Sequence, residues 1–255
     1  MVFFESLLVA LSTYSAIPTP QFEWNEKNMR YAFCFFPVIG VLAGLLLWGW
    51  FLLCRWAGAG TLLFSAVACC LPLLLTGGIH MDGYMDTVDA LSSHQSRERK
   101  LEIMKDPNSG AFAVIYCGIY LLMQLGLLSQ LYEKGNVAAV CPAFVLSRAC
   151  AAFLGVSLPK ARKSGMLNAY TKDNSTGVTR GVMVLMAVLA AAAALYIGPA
   201  PVATGGLLTA GLTVLFARSM VLRQFGGVTG DTSGFTVQMT ELLYLLGALL
   251  GGIAV

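Results

Sequence analysis

Charge is what this chain has least of: of 255 residues, 11% are Asp, Glu, Lys or Arg, while 57% are hydrophobic and mean hydropathy is +0.74. Soluble domains carry roughly 25% charged residues, so a single water-soluble core of this size lacks the polar surface to cover itself. Histidine occurs twice, and the seven cysteines contain no C-x-x-C pair. All seven fall in apolar segments, as small buried residues do, which leaves no support for a disulfide framework or a redox pair. No G-K-[ST] ending, dinucleotide fingerprint, zinc spacing or Ser/His/Asp order appears. No basic start precedes the first apolar run and no A-x-A-like site follows it, which argues against a cleaved signal peptide. Linkers, low-complexity tracts and convincing repeats are missing too, so the expectation is one domain, residues 1–255.

What is abundant is apolar runs near the roughly 20 residues that cross a bilayer. Seven spans are expected, at about 31–54, 61–79, 110–132, 137–157, 181–198, 201–217 and 238–255. The fold class is therefore all-α, a polytopic integral membrane bundle. FFESLLVALSTYSAIPTP near the N-terminus is too short and interrupted to span, and reads as a re-entrant or interfacial helix. With the N-terminus in the cytoplasm, thirteen Lys and Arg lie on the cytoplasmic side: Lys27, Arg30, Arg97, Arg99, Lys100, Lys105, Lys160, Arg162, Lys163, Lys172, Arg180, Arg218 and Arg223. The opposite side has Arg55 and Lys134, and Arg148 falls inside a span. That asymmetry sets the orientation.

Three cytoplasmic segments, 80–109, 158–180 and 218–237, are more polar than plain connections need. In the first, HMDGYMDTVDAL (80–91) holds Asp82, Asp86 and Asp89 at i, i+4, i+7, within about 60° of one another on a helix. Three carboxylates on one face repel each other beside a membrane, and a divalent cation removes that repulsion. Oxygen donors without His or Cys suit Mg²⁺, Mn²⁺ or Ca²⁺ rather than Zn²⁺, and Mg²⁺ commonly adds substrate phosphate oxygens, so a metal-held diphosphate is expected. The competing reading is a solvated acidic loop, but the chain has 13 acidic residues and three crowd this membrane boundary. Gly83 fits a close backbone approach to a ligand. Gly77-Gly78 fits a helix end. SRERKLEIMKD (96–106) has Leu101 and Met104 at helical spacing, as expected of a short helix on the membrane surface, stopped by Pro107 to Gly110.

FGGVTGDTSGF (225–235) offers amide donors and hydroxyls for phosphate at Gly230 and Thr232, and a further metal ligand in Asp231; the plainer alternative is a turn between spans. LPKARKSGMLNAY (158–170) brings Lys160, Arg162 and Lys163, although the positive-inside bias alone accounts for such a run. Lys105 and Arg162 are candidate phosphate contacts. Arg148, inside a span, calls for a polar interior and a partner. His80 is either a base or a hydrogen-bonding residue at a helix start.

GGIHMDGYMDTVDAL, RERKLEIMKDPNSGAF and FGGVTGDTSGFTVQMTELLYLL closely resemble the signature segments of the cobalamin synthase (adenosylcobinamide-GDP ribazoletransferase) family. SRACAAF with LPKARKSGMLNAY is similar to that family's fourth span and following basic loop. The resemblance runs almost end to end. It implies a membrane enzyme that joins adenosylcobinamide-GDP to α-ribazole or its 5′-phosphate, releases GMP and uses Mg²⁺. It assigns Asp82, Asp86 and Asp89 to an acidic motif and Asp231 to a G-D-T motif, the four metal candidates, with an Asp or His80 taking the attacking proton. Together with the Lys and Arg asymmetry, it makes a bacterial cytoplasmic membrane the expected location, with the site facing the cytoplasm. Besides the two substrates and the bilayer, a homodimer is left open, and nothing points to nucleic acid. Two departures are Ala90, where the family usually has Gly, and Phe235, where it has a small residue. A CDP-alcohol phosphotransferase would need D-G-x-x-A-R, but Tyr84, Met85, Asp86 and Thr87 follow the D-G. A prenyltransferase would need N-D-x-x-D. A cation-coupled transporter would need carboxylates at mid-membrane depth.

Overall fold

A pair of glycines turns the chain where the aspartates begin. Gly77 (φ +62°) caps one helix and Gly78 (φ +79°) starts the next, both in the left-handed region that other residues seldom enter. The computed structural model describes residues 2–20, 25–29, 31–162 and 176–253. In lipid every backbone polar group needs an internal partner, so apolar runs become helices. In chain order these are α1 (Val2–Tyr14), α2 (Glu26–Met29), a 3₁₀ turn (Ala32–Phe35), α3 (Phe36–Ala57), α4 (Thr61–Thr76), α5 (Ile79–Ser92), α6 (Arg97–Ile103), α7 (Ala111–Glu133), α8 (Val137–Val140), α9 (Ala143–Ser157), α10 (Thr176–Ile197), α11 (Ala200–Phe225) and α12 (Gly230–Ile253).

Among the described residues six stretches are long and apolar enough to cross a membrane: Ala32–Ala57, Ala111–Glu133, Val137–Ser157, Thr176–Ile197, Ala200–Gln224 and Gly230–Ile253. The seventh expected span is a broken one, α4 and α5 meeting at 95°. The all-helical membrane bundle is therefore as the composition requires. At the N-terminus α1 has 13 residues, fewer than a span needs. It packs on the 3₁₀ turn and α3, and Ala16 N–H bonds to the Leu75 carbonyl at 2.7 Å.

The helices overrun the apolar windows. Residues 218–237, expected as a polar connection, are almost wholly helical, because α11 runs to Phe225 and α12 starts at Gly230. Polar residues inside the bundle extend a helix as long as their backbone bonds are met. Gly226 (φ +75°) ends α11, and Thr229 and Thr232 start α12 by capping each other: each backbone N–H donates to the other's Oγ1, at 2.9 and 3.1 Å. In the same way the segment 80–109 contains α5 and α6, and Arg180 lies within α10.

Helix α12 is the pillar, packed along α11 and against α5, α7 and α9. Small residues let it approach: a Cβ on Gly247 would collide with Gly205 and Thr209 of α11. One apolar cluster, including Phe36, Met81, Tyr84, Val88, Phe225 and Phe235, backs the aspartate helix, and a second fills the space between α3, α4, α7 and α9.

Candidate active site

The site begins at a helix crossing. A Cβ on Gly83 would come within 2.8 Å of the Asp231 carbonyl oxygen, and one on Gly234 within 2.9 Å of the His80 carbonyl. Gly83 thus permits a close backbone approach, but the neighbour is α12 at Asp231, where a ligand was expected. The crossing puts the acidic face of α5 against the first turn of α12, joining two motifs about 150 residues apart in the chain. Asp82 is exposed, while Asp86 and Asp89 are half-buried. Asp86 senses the charges of Asp82, Asp231, Asp89 and Arg162, and Asp231 those of Arg162 and Asp82. The carboxylate of Asp231 sits at a helix N-terminus, where the macrodipole favours negative charge.

A short backbone pairing adds the cation. Val228 N–H donates to the Pro159 carbonyl at 2.8 Å and Ala161 N–H to the Val228 carbonyl at 3.1 Å. Gly227 makes this possible, since a Cβ there would meet the Pro159 carbonyl at 2.4 Å. The pairing sets Arg162 beside α12, where Nη1 bonds Asp231 Oδ2 at 3.1 Å and Nη2 the Leu101 carbonyl at 3.0 Å. Lys160 donates to the Gly155 carbonyl; burial, with Arg180 nearby, pushes its ammonium down to about 8. Lys163 and Lys172 lie outside the described residues, as do residue 30 and the side chain of Lys27.

Helix α6 forms where a short helix was expected. It docks on the protein's own α11: Lys100 Nζ bonds Gln224 Oε1 at 2.6 Å, Arg97 Nη2 reaches the Arg223 carbonyl, and Met104 is buried. Cations at the C-terminal end of α11 are favourably placed.

The aspartates do not all meet at one point. Asp89 turns toward the start of α7, where a Cβ on Gly110 would overlap its carboxylate. Gly230 is the first residue of α12, and Thr232 is fully buried with its hydroxyl committed to the cap. Lys105 is exposed in the turn after α6. His80 is buried edge-on to the Phe36 ring, 5.4 Å between centroids, and its Nε2 has no hydrogen-bond partner among the described residues. Arg148 is buried in α9 and has its partner: Nη1 bonds Glu241 Oε1 of α12 at 2.6 Å, and Ser147 Oγ donates to the same oxygen at 2.9 Å. Glu241 escaped the sequence reading, although it is the single acidic residue after Asp231, within a run otherwise fit to span.

The profile of the family described as cobalamin-5-phosphate synthase matches residues 6–249. The chain belongs to that family. Among similar proteins, an adenosylcobinamide-GDP ribazoletransferase of Lachnoclostridium phytofermentans is 38% identical over 243 residues, 95% of this chain and 92% of the relative. Proteins with the same name from Pseudomonas entomophila and Pseudomonas fluorescens are 36% and 33% identical, covering 97% and 95% of this chain and 96% and 98% of their own. No solved structure matches. As a cobalamin-5-phosphate synthase relative the chain is an enzyme of cobalamin synthesis, a transferase built of membrane helices. The departures from the family pattern are accommodated. Ala90 is fully buried in the core behind α5, and Phe235 stacks on Tyr84 at 5.7 Å.

Whether this candidate site suits Mg²⁺ is a question of donors. Among the described residues no three His, Cys, Asp or Glu side chains are already drawn into a cage. Mg²⁺ does not require one, since it binds through one or two carboxylates plus phosphate oxygens and water. Asp82, Asp86 and Asp231, brought near one another where α5 crosses α12, are hard oxygen donors of the type that ion takes.

Proposed function

We propose that this enzyme transfers the cobinamide-phosphate moiety of adenosylcobinamide-GDP to α-ribazole or α-ribazole 5′-phosphate, with Mg²⁺, giving adenosylcobalamin or its 5′-phosphate and GMP. The observation that carries this reading is the meeting of Asp82 and Asp86 with Asp231 and Arg162 where α5 crosses α12. Asp82, Asp86 and Asp231 would hold the metal. When bound, it neutralises charge on the diphosphate and on departing GMP. Arg162 orients a phosphate oxygen alongside Asp231 and adds positive charge where negative charge develops. A ribose hydroxyl of α-ribazole attacks the phosphorus nearer cobinamide, the bond from that phosphorus to the bridging oxygen breaks, and GMP leaves with that oxygen. A carboxylate of the acidic face takes the hydroxyl proton; His80, whose ring lies buried against Phe36, is poorly placed for that role. We place the chain in a bacterial cytoplasmic membrane with this site on the cytoplasmic side, a reading supported by the Lys and Arg asymmetry.

The test uses purified protein in liposomes supplied with adenosylcobinamide-GDP, α-ribazole and Mg²⁺. A cobamide and GMP are expected in equal amounts, with turnover lost in EDTA and restored by Mg²⁺. A folded, inserted protein that forms neither product overturns the transferase assignment, and ion flux in the same vesicles would favour a transporter.

A further inference from the structure

The acidic face of α5 has two ends, and each opens into a different cleft. Asp82 and Asp89 are seven residues apart, about 10 Å along a helix, more than a diphosphate fills. At the Asp82 end a cleft of about 540 Å³ lies in the elbow between α4 and α5, lined by Leu73, Ile79, Met81 and Met85 with two glycines. Among the described residues Asp82 is the one polar side chain of its lining. At the Asp89 end a cleft of about 480 Å³ lies between α6 and the start of α7. Its wall is mostly polar: Arg99, Glu102, Asp106 and Asn108, with Phe112 beside them. Both volumes are in the range of small-molecule sites, roughly 300–1,000 Å³.

A nucleotide-activated donor held by its diphosphate at Asp86 must send one arm each way, and the two arms differ chemically. The nucleoside has a flat base with a hydrogen-bonding edge; the other arm is a bulky organic group. We infer that the cleft beside Asp89 holds the guanosine of the donor, and that the opposite arm leaves past the elbow. This rests on the transferase reading above and gives that site a direction. The cleft offers what guanine asks for. Guanine carries an amino donor and the O6 and N7 acceptors. Asp106 Oδ1 accepts both the backbone N–H and the side-chain amide of Asn108 at 2.9 Å, leaving Oδ2 for the base amino group. Arg99, 2.8 Å from Glu102, places a donor beside an acceptor on α6. Phe112, half-exposed in the first turn of α7, provides a ring face for stacking. Adenine, which presents an amino donor where guanine has O6, meets this arrangement less well.

The experiment measures equilibrium binding of GMP and of AMP, each with Mg²⁺, to the full chain in nanodiscs. Wild type should bind GMP more tightly than AMP. Phe112→Ala and Asp106→Ala should each weaken GMP roughly tenfold or more, the scale of losing one stacked base, while Met85→Ala in the elbow leaves it unchanged. Phe112→Leu keeps apolar bulk without the ring and reports on stacking should the alanine variant fold poorly. Loss of GMP binding in Met85→Ala with normal binding in Phe112→Leu and Asp106→Ala would place guanosine in the elbow and overturn the inference. No GMP binding by folded wild type would overturn it as well. GMP binding with the expected variant pattern, but no turnover of adenosylcobinamide-GDP, would sustain the cleft and refute the transferase reading instead.

Discussion

At the scale of single residues, the proposed function rests on carboxylates and on the glycines that let them meet. Each of Asp82→Asn, Asp86→Asn and Asp89→Asn should lower turnover by at least about a hundredfold, the order seen when one charge-stabilising group is removed, while membrane insertion persists. GMP release in liposomes, alongside size-exclusion profiles, checks this; near-normal rates in all three would refute the site. Gly83→Ala makes a sharper test of geometry. The added methyl would sit 2.8 Å from the Asp231 carbonyl, so α5 must move off α12, at about 1–3 kcal/mol. A lowered unfolding temperature together with reduced turnover is expected. Gly118→Ala, with nothing within 4 Å, should leave both unchanged.

Among the elements, α12 is the one that several others position. Its N-terminal turn carries Asp231, and about three turns on, Glu241 locks it to α9 through Arg148. Removing one partner from such a pair strands a buried charge, at about 3–5 kcal/mol. Glu241→Ala should therefore lower the unfolding temperature in detergent strongly. The double variant Arg148→Met/Glu241→Leu, which leaves no charge stranded, should recover much of the loss. If the single and double variants are equally unstable, the pair is not the tie it looks to be. The break between α11 and α12 has a parallel role: Val228 pairs with Pro159 and Ala161 and so delivers Arg162 to Asp231.

For the whole molecule, contacts among 97–104, 159–162 and 223–231 gather the basic segments at the same end of the bundle as the aspartates. Arg55 and Lys134 lie at the far ends of α3 and α7. With the site in the cytoplasm, a membrane-impermeant maleimide should label Gln95→Cys only from the cytoplasmic side and Lys134→Cys only from outside. The reverse pattern in inverted and intact vesicles would turn the orientation over.

Much of this was legible in the sequence because its signals are local. Hydropathy marks spans, since lipid demands long apolar helices, and seven windows became six spans and a broken one. The 4–3 spacing of the aspartates needed nothing beyond helical periodicity, and Gly77-Gly78 ended a helix where a glycine pair should. What lay beyond local signals was relation. The extent of α11 and α12 depended on caps and on partners for polar residues inside the bundle. Gly83's neighbour, the tie from Arg148 to Glu241, the docking of α6 on α11 and the turning of Asp89 toward Gly110 all join residues on different helices. The sequence determined which carboxylates and cations exist and that they lie near a membrane boundary. The tertiary structure decided which of them meet, because side chains on separate helices come together only through the packing between those helices.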